Sequence, residues 1–552
     1  MAMEISMLLK KIFTAVGLGL LCLSFGFTPI TAQDNGAPKT GTDGLPWWND
    51  RVFYEVFVRS FQDGNGDGIG DLKGLISKLD YLNDDNPDTK TDLGVTGLWL
   101  MPIMESPSYH GYDVSDYMKV EHDYGTNDDF KQLMQEAHKR GIAVIIDMVL
   151  NHTSNQHPWF IDSQTPGSVH DQWYRWSTDD KKPPQIGPWG QEVWYKLGSR
   201  YYYAVFWDGM PDLNYRNPDV VQASKDIAKF WLADMGVDGF RMDGARYYVE
   251  DPSKLADSDS NMAWARDWHT YVNTVNPDAF TVAELWTNSS DVAKYMPEGF
   301  DMGFEFDLAA AMLDSARRGT NEAVTPVQAR TLGLFKPGQY APFLTNHDGY
   351  RLMNEMGKNP DKVKVAASML LTGSGVPFLY YGEEIGMIGG KPDECIRTPM
   401  QWDSTPRTED FMTDKDCRTN EAVFNVAAED GDPASLLNHY RTLIHLRYDH
   451  SALRVGTFTP VTSSNKAVYS YIRQSADEKV LVVINLGKNE VTDYKLSVKK
   501  SGINGNQNGV LLLGNGEVNS PDVNADGGFD GYTPLATLAP FSTTIIQLND
   551  AK

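Results

Sequence analysis

The chain has 552 residues, with 49 Lys and Arg against 74 Asp and Glu, for a formal net charge of −25. That balance argues against nucleic acid or an anionic membrane surface as a partner and favours a neutral or cationic ligand, while the length calls for one large domain and at least one smaller one. Aromatic residues make up 11% of the chain, with 14 Trp and 26 Tyr, and such rings suit both core packing and the apolar faces of sugar rings.

Residues 1–32 read as a signal peptide: Lys10-Lys11, an apolar run over 12–27, and Thr31-Ala32 before Gln33 as a small-residue cleavage site. The mature protein is therefore expected to be secreted or periplasmic. A surface lipoprotein anchored at Cys22 is the competing reading, weakened because Leu20-Leu21 stands where such a site needs a small residue. No later run is long and apolar enough to span a membrane.

Residues 51–59 are β-branched and aromatic almost throughout and predict a strand buried on both faces. Directly after it, Asp63-Gly-Asn65-Gly-Asp67-Gly-Ile69-Gly-Asp71 places oxygen-bearing side chains at every second position except 69, where a backbone carbonyl serves. By ligand type and spacing this is a Ca²⁺ loop, similar to the first nine positions of an EF-hand. Gly74 stands at the twelfth position instead of Glu, and a strand precedes the loop instead of a helix, so a free-standing Ca²⁺ loop is expected. A solvated Asp/Gly turn is the alternative.

Residues 93–102 and 142–149 predict two further buried strands. Between them lies a helix with Phe130, Leu133, Met134 and Ala137 on one face, Thr126 or Asn127 as its cap and Gly141 just past its end. Buried strands recur at 237–242, 280–283, 303–306, 341–344 and 377–380, and eight strands alternating with helices predict a (β/α)8 TIM barrel over 33–450. The connection from Asn151 to Asn214 is too long for a simple loop, so a small inserted domain is expected at about 152–214, on the third βα loop. Its rings, among them Trp173, Trp176, Trp189, Trp194, Tyr201, Tyr202, Tyr203 and Trp207, are expected mostly to pack its own core, with one or two free to stack on ligand. After a helix at 436–446 the pattern changes to short alternating segments between Gly/Asn/Asp turns, which predicts a C-terminal antiparallel β-sandwich over 451–552. Cys395 and Cys417, two thiols of an exported chain, are expected to form a disulfide, with two free cysteines as the alternative.

The polar residues at the predicted strand ends converge. In Gly239-Phe-Arg241-Met-Asp243-Gly244, strand alternation puts Arg241 and Asp243 on one face, where the guanidinium is expected to lower the pKa of the acid. An ionised, positioned carboxylate is what attack on a sugar carbon requires. Asp147, Asn151 and His152 follow the third strand, Glu284 ends the fifth and Asn346-His347-Asp348 ends the seventh, all on the face where barrel active sites are built.

With its motifs Asp147-Met-Val-Leu-Asn151-His152, Gly239-Phe-Arg241-Met-Asp243, Ala283-Glu284-Leu-Trp and Thr345-Asn-His347-Asp348 in that order, the chain resembles the α-amylase family, glycoside hydrolase family 13, from about Trp47 onward. The resemblance implies Asp243 as nucleophile, Glu284 as general acid/base and Asp348 as a carboxylate that holds the distorted sugar. It further implies that Arg241, His152 and His347 bind that sugar, with Tyr112 and Asp113 as its floor. Met210-Pro-Asp-Leu-Asn214 resembles a version found in relatives between oligo-1,6-glucosidases and neopullulanases, and Arg397-Thr-Pro-Met-Gln-Trp402 and the Ca²⁺ loop resemble the oligo-1,6-glucosidase side. Gly244 departs from that group, in which valine accompanies α-1,6 and threonine α-1,4 preference. Room beside the nucleophile is expected there, favouring an endo-acting or broad hydrolase. Arg397 is expected to pair with Asp113, with Arg351 as the competing candidate. The expected protein is an exported hydrolase of α-1,4 bonds in starch and maltooligosaccharides, a monomer whose partner is the glucan. The alternatives are an α-1,6-acting hydrolase and a glucosyl transferase such as a trehalose synthase.

Overall fold

The computed structural model describes residues 40–179, 181–503, 505 and 507–550; the expected signal peptide and Cys22 lie outside them. Eight parallel strands form the central sheet: β1 (Phe53–Val56), β2 (Gly97–Leu100), β3 (Ala143–Met148), β4 (Gly239–Met242), β5 (Phe280–Ala283), β6 (Met302–Phe304), β7 (Tyr340–Ala341) and β8 (Phe378–Tyr380). Their order is β7-β6-β5-β4-β3-β2-β1-β8, and a parallel bridge between Phe343 and Phe378 closes the ring. This is the barrel the alternation of strands and helices predicts.

Strand pleat divides the core in two. Phe53, Trp99, Ile145, Phe280, Val282, Phe304 and Phe378 fill the inside of the barrel, while Tyr54, Leu98, Val144, Phe240 and Leu379 face the surrounding helices. The interior filling is specific: Phe53 stacks on Phe378 at 4.6 Å, and a Cβ at residue 97 would come within 2.5 Å of the Phe53 ring, so glycine is required there. Trp48 stacks on Phe280 at 5.1 Å, and Trp47 Nε1 donates to the Asp278 carbonyl at 2.8 Å.

Every barrel strand except β5 is shorter than the sequence predicts, and for two of them the cause is local. β1 ends at Val56 because Val58–Phe61 turns into one helical turn, which brings the Ser60 hydroxyl to the Arg397 carbonyl at 2.7 Å. β7 ends at Ala341 because Pro342 has no N–H to add to the ladder. The helix after β2, α1 (Asn127–Lys139), is capped by Thr126 in a capping box with Asp129, which resolves the choice between Thr126 and Asn127.

The long third connection contains a helix, Pro158–Ser163, that apolar periodicity did not reveal; its start is set by the His157 side chain and by proline in the first turn. It also contains a three-stranded antiparallel sheet of Trp176–Ser177, Arg200–Tyr203 and Trp194–Leu197. Arg200 is buried there, paired with Asp171 at 2.7 Å and lying over the Trp176 ring at 4.0 Å.

After α2 (Leu436–Asp449), seven antiparallel strands follow: β9 (Thr457–Ser463), β10 (Val468–Gln474), β11 (Lys479–Asn485), β12 (Leu496–Val498), β13 (Gln507–Leu513), β14 (Phe529–Tyr532) and β15 (Thr543–Asp550), ordered β13-β15-β11-β10-β9-β12-β14. β9 pairs with β10 through residues 457–461 and with β12 through 462–463, so the sheet folds over at this strand. Ile472, Leu481 and Ile546 from one side then meet Leu496, Phe529 and Tyr532 from the other. Two buried guanidiniums converge on the segment before β8: Arg447 of α2 donates to the Leu371, Gly373 and Gly375 carbonyls, and Arg473 of β10 donates to that of Thr372, which ties the seven-stranded region to the barrel. Among the described residues no helix is long and apolar enough to cross a membrane.

Cys395 and Cys417 are disulfide-bonded across a sequence separation of 22, in the loop after β8. Restricting a loop of that size in the unfolded chain is worth about 3 kcal/mol, so Cys417→Ser should lower the unfolding free energy by about that amount in denaturant melts, and a reducing agent should do the same to the parent protein.

Candidate active site

Three neighbouring strands deliver the charges. Asp147 on β3 pairs in register with Arg241 on β4, Asp243 lies one residue beyond β4, and Glu284 one residue beyond β5. Arg241, 1% exposed, donates through Nη1 to both Asp147 oxygens at 2.8 and 2.9 Å and to Asp243 at 2.7 Å, while its Nη2 lies 3.0 Å from Glu284. The Trp99 ring supports the guanidinium from the barrel interior at 5.1 Å.

The expected lowering of the Asp243 pKa is not found. Burial lifts the Asp243 carboxyl above its ordinary value despite Arg241, and Asp348 adds to the rise. For Glu284 burial is again the largest cause; it outweighs Arg241 and, with Asp243 and Asp348 nearby, pushes the carboxyl up to about 7. Asp348 goes the other way. Burial opposes its charge, but the His347 ring and Arg397 draw it below the usual carboxylate range. Glu284 also accepts the backbone N–H of Gly244 at 3.0 Å, which aims it at the same space as Asp243.

That space is a cavity of about 520 Å³ whose lining includes Tyr112, His152, Asp243, Glu284, Asp348 and Arg397. Arg241 and His347 are buried just beneath its wall. Tyr112 donates to Asp147 at 3.1 Å and meets His347 Nε2 at 2.6 Å; His152 Nε2 lies 2.9 Å from the Tyr112 carbonyl. Asp113 sits buried behind Tyr112, accepting from the hydroxyls of Ser106 at 2.8 Å and Ser108.

Two arginines correct the expectations. Arg397 pairs with Asp348 at 3.0 Å and donates to the His347 carbonyl, not to Asp113, because Asp113 is already satisfied by its serines. Arg351 is no part of the cavity: it is buried between the Tyr380 and Tyr381 rings, each at 4.6 Å, and donates to the Ile396 and Tyr381 carbonyls. Its contribution is to fix the backbone next to Arg397.

The structure also adds lining residues that sequence reasoning missed, namely Tyr109, Phe206, Arg246, Tyr247, Trp286 and Asp393. Trp286 was within reach, two residues past Glu284 in the same motif; it is largely exposed and stacks on Phe306 at 5.1 Å with 9° between the planes. Of the rings on the long connection, Trp189 and Trp207 line the cavity and are exposed, while Trp194 and Tyr203 pack in a core of their own.

Gly244 gives a further correction. Its φ is +52°, and a Cβ there would lie 3.1 Å from the Phe206 ring. The expected room beside Asp243 is filled by Phe206, and glycine is present because the backbone is left-handed.

In the loop expected to hold Ca²⁺, Asp63 accepts the amides of Asn65, Gly66 and Gly68, Asp67 that of Ile69, and Asp71 those of Gly64 and Gly74 while capping the helix Leu72–Ser77. Against a burial penalty, those amides hold the Asp63 carboxyl below its ordinary value. The oxygen donors Asp63, Asn65, Asp67 and Asp71, with the Ile69 carbonyl, are the hard set that suits Ca²⁺. Among the described residues the acid and histidine group whose ligand atoms lie within 4.8 Å of one another is elsewhere, at Glu105, Glu121 and His122.

Residues 55–456 match the family model described as alpha amylase, catalytic domain. The chain is 39% identical over 471 residues to alpha-amylase 3 of Dictyoglomus thermophilum, covering 83% of this chain and 89% of the relative. It is 33% identical over 506 residues to a trehalose synthase/amylase of Mycolicibacterium smegmatis, covering 80% and 83%. Among solved structures, an α-amylase from H. orenii superposes with a TM-score of 0.79 at 40% identity, covering 90% of this chain and 99% of that one.

The conformation at residue 244 can be tested by a thermodynamic cycle. Gly244→Ala should destabilise the fold by about 1–2 kcal/mol through the left-handed backbone, plus the contact with Phe206. Adding Phe206→Ala should remove only the contact part, leaving a residual penalty in denaturant melts.

Proposed function

Because the chain belongs to the α-amylase family of glycoside hydrolases, we propose that it is a retaining α-glucan hydrolase that cleaves α-1,4 bonds of starch and maltooligosaccharides. One observation carries this reading: a single buried arginine binds Asp147, Asp243 and Glu284 at one strand-end cavity, with Glu284 alone among them also held by the Gly244 amide. Asp243 attacks the anomeric carbon, and Glu284 gives its proton to the departing glycosidic oxygen. The bond broken is that between the anomeric carbon and that oxygen; the bond formed is an ester to Asp243. Water then attacks the same carbon, Glu284 takes its proton back, and Asp243 leaves. Asp348, with Arg397, is placed to grip the hydroxyls of the sugar being cleaved. Trp189, Trp207 and Trp286 offer apolar faces to the neighbouring sugars.

A transferase is the second reading, supported by the likeness to a trehalose synthase/amylase. There a sugar hydroxyl replaces water in the second step. Action on α-1,6 bonds rests on the resemblance of Arg397-Thr-Pro-Met-Gln-Trp402 to the oligo-1,6-glucosidase side and of Met210-Pro-Asp-Leu-Asn214 to relatives between that side and neopullulanases. A size-resolved time course on soluble starch, pullulan and isomaltose separates the three. Mixed maltooligosaccharides early from starch are expected; conserved linkages with little new reducing sugar would make it a transferase, and glucose alone with isomaltose consumed an oligo-1,6-glucosidase.

We also infer export, for which the N-terminal segment and the disulfide are the support, and a structural Ca²⁺ at Asp63, Asn65, Asp67, Ile69 and Asp71, for which the donor set is the support.

The pH dependence follows from the protonation states required. Glu284 must be protonated to donate, so kcat/KM should fall as pH rises through about 7. Asp243 must be ionised to attack, so kcat/KM should also fall as pH drops through its raised value. Glu284→Gln should cost about 10²–10⁴-fold in kcat and erase the alkaline limb. For the metal, a chelator should lower Tm and added Ca²⁺ restore it, and the double variant Asp63→Asn, Asp67→Asn should be insensitive to both; an unchanged Tm in the parent protein would exclude a structural Ca²⁺.

A further inference from the structure

Beneath the cavity, hydrogen bonds form a chain whose protons can be counted. Glu55, one residue from the end of β1 and 2% exposed, touches His347 Nδ1 through Oε1 at hydrogen-bond distance. His347 Nε2 meets the Tyr112 hydroxyl at 2.6 Å, and that hydroxyl lies 3.1 Å from Asp147. Both Asp147 oxygens accept from Arg241 Nη1; burial pushes this carboxyl up to about 7, and the guanidinium held against both oxygens favours its ionised form, an acceptor toward Tyr112.

Tyr112 has one proton, and it goes to Asp147. The tyrosine oxygen can then only accept from His347, so Nε2 carries a hydrogen. The same follows from Asp348, whose Oδ2 lies 3.4 Å from Nε2, where a bare nitrogen lone pair would face an anionic oxygen. With the proton of the neutral ring on Nε2, Nδ1 is bare and faces Glu55 Oε1. Two acceptors in that contact need a proton between them.

We propose that Glu55 is a positioning residue that works as a neutral glutamic acid, its O–H donating to His347 Nδ1 and so holding that ring in the tautomer with hydrogen on Nε2, toward Tyr112 and Asp348. The alternative with the same proton count, an imidazolium beside a Glu55 carboxylate, would place two charges in a site where both side chains are 2% exposed or less. Among the described residues no lysine or arginine nitrogen lies within 4.0 Å of the Glu55 carboxyl. The groups facing the pair are Arg241 on β4, Asp147 on β3, Asp348 and Arg397 on the loops after β7 and β8, Tyr380 on β8, and more remotely Lys391. Burial dominates their opposing influences. It raises Glu55 well above its ordinary value and lowers His347 to about 3, so both shifts favour the neutral pair.

The ring can be observed directly in the full-length protein labelled with ¹⁵N-histidine, the His347 signals being those missing from His347→Gln among the 11 histidines. Expected is hydrogen on Nε2 and none on Nδ1 across roughly pH 5 to 9, a window in which an ordinary histidine titrates. Hydrogen on Nδ1 alone, or on both nitrogens, overturns the proposal.

Kinetics on a maltooligosaccharide give a second arm, which rests on the hydrolase reading. Glu55→Ala leaves Nδ1 unpaired and should cost about tenfold to a hundredfold in kcat/KM. Glu55→Gln, whose amide N–H can donate in place of the acid O–H, should restore most of that loss and keep hydrogen on Nε2. Equal damage from Gln and Ala would mean that a carboxylate is needed, and the proposal falls. If the parent protein cleaves no glucan, the hydrolase reading fails, while the imidazole spectrum still decides the state of Glu55.

Discussion

One guanidinium serves three acids. Arg241 is buried at the mouth of the barrel, and Asp147, Asp243 and Glu284 all depend on it for the charge that makes their own burial tolerable. Removing one partner of a buried ion pair costs several kcal/mol because the other is left uncompensated, and here three partners would be left. The strand order β3-β4-β5 puts the acids on either side of the arginine, and the Trp99 ring keeps water from it below. A lysine would offer its three donors from a single point instead of a planar fork, and has no flat guanidinium to stack on that ring.

With one cation shared so widely, the acids separate by small differences in surroundings. Glu284 keeps an amide and loses most of its solvent, so its proton stays bound near neutrality; Asp348 faces Arg397 and an imidazole and stays ionised. Groups that never meet ligand maintain this division. Arg351 holds the backbone beside Arg397, and Glu55 lies behind His347. The interior of the barrel, densely aromatic from Trp48 to Phe378, gives these groups a base that does not yield.

The barrel was legible in the sequence because strands buried on both faces are continuous apolar runs, and the charged residues that interrupt them, Arg241 and Asp147, stand at their ends. Boundaries were less so. Residues 57–59 are as β-prone as those before them, and only the tertiary bond from Ser60 to the Arg397 carbonyl explains why the strand stops. Proximity misled for Arg351, which follows the Asn346-His347-Asp348 motif closely yet points into packed tyrosines. At Gly244 composition implied space, but which ring occupies it depends on how the residue 151–214 connection folds back, a long-range contact no local pattern encodes. The direction of the Asp243 shift was missed because a neighbouring arginine is visible in sequence and the depth of burial is not.

The last strand, β8, enters between the first strand and the end of the seventh. Phe53 pairs with Phe378, so one side of that insertion joins residues 325 positions apart, 378 minus 53. During synthesis the first strand must therefore wait, with one edge unpaired, until almost the whole barrel has been made. Contacts of such sequence separation form slowly because their loop-closure entropy is paid first. The half-made barrel offers an open parallel edge and a row of phenylalanines to any other chain nearby, so shielding that edge until residue 378 arrives favours folding over association with other chains.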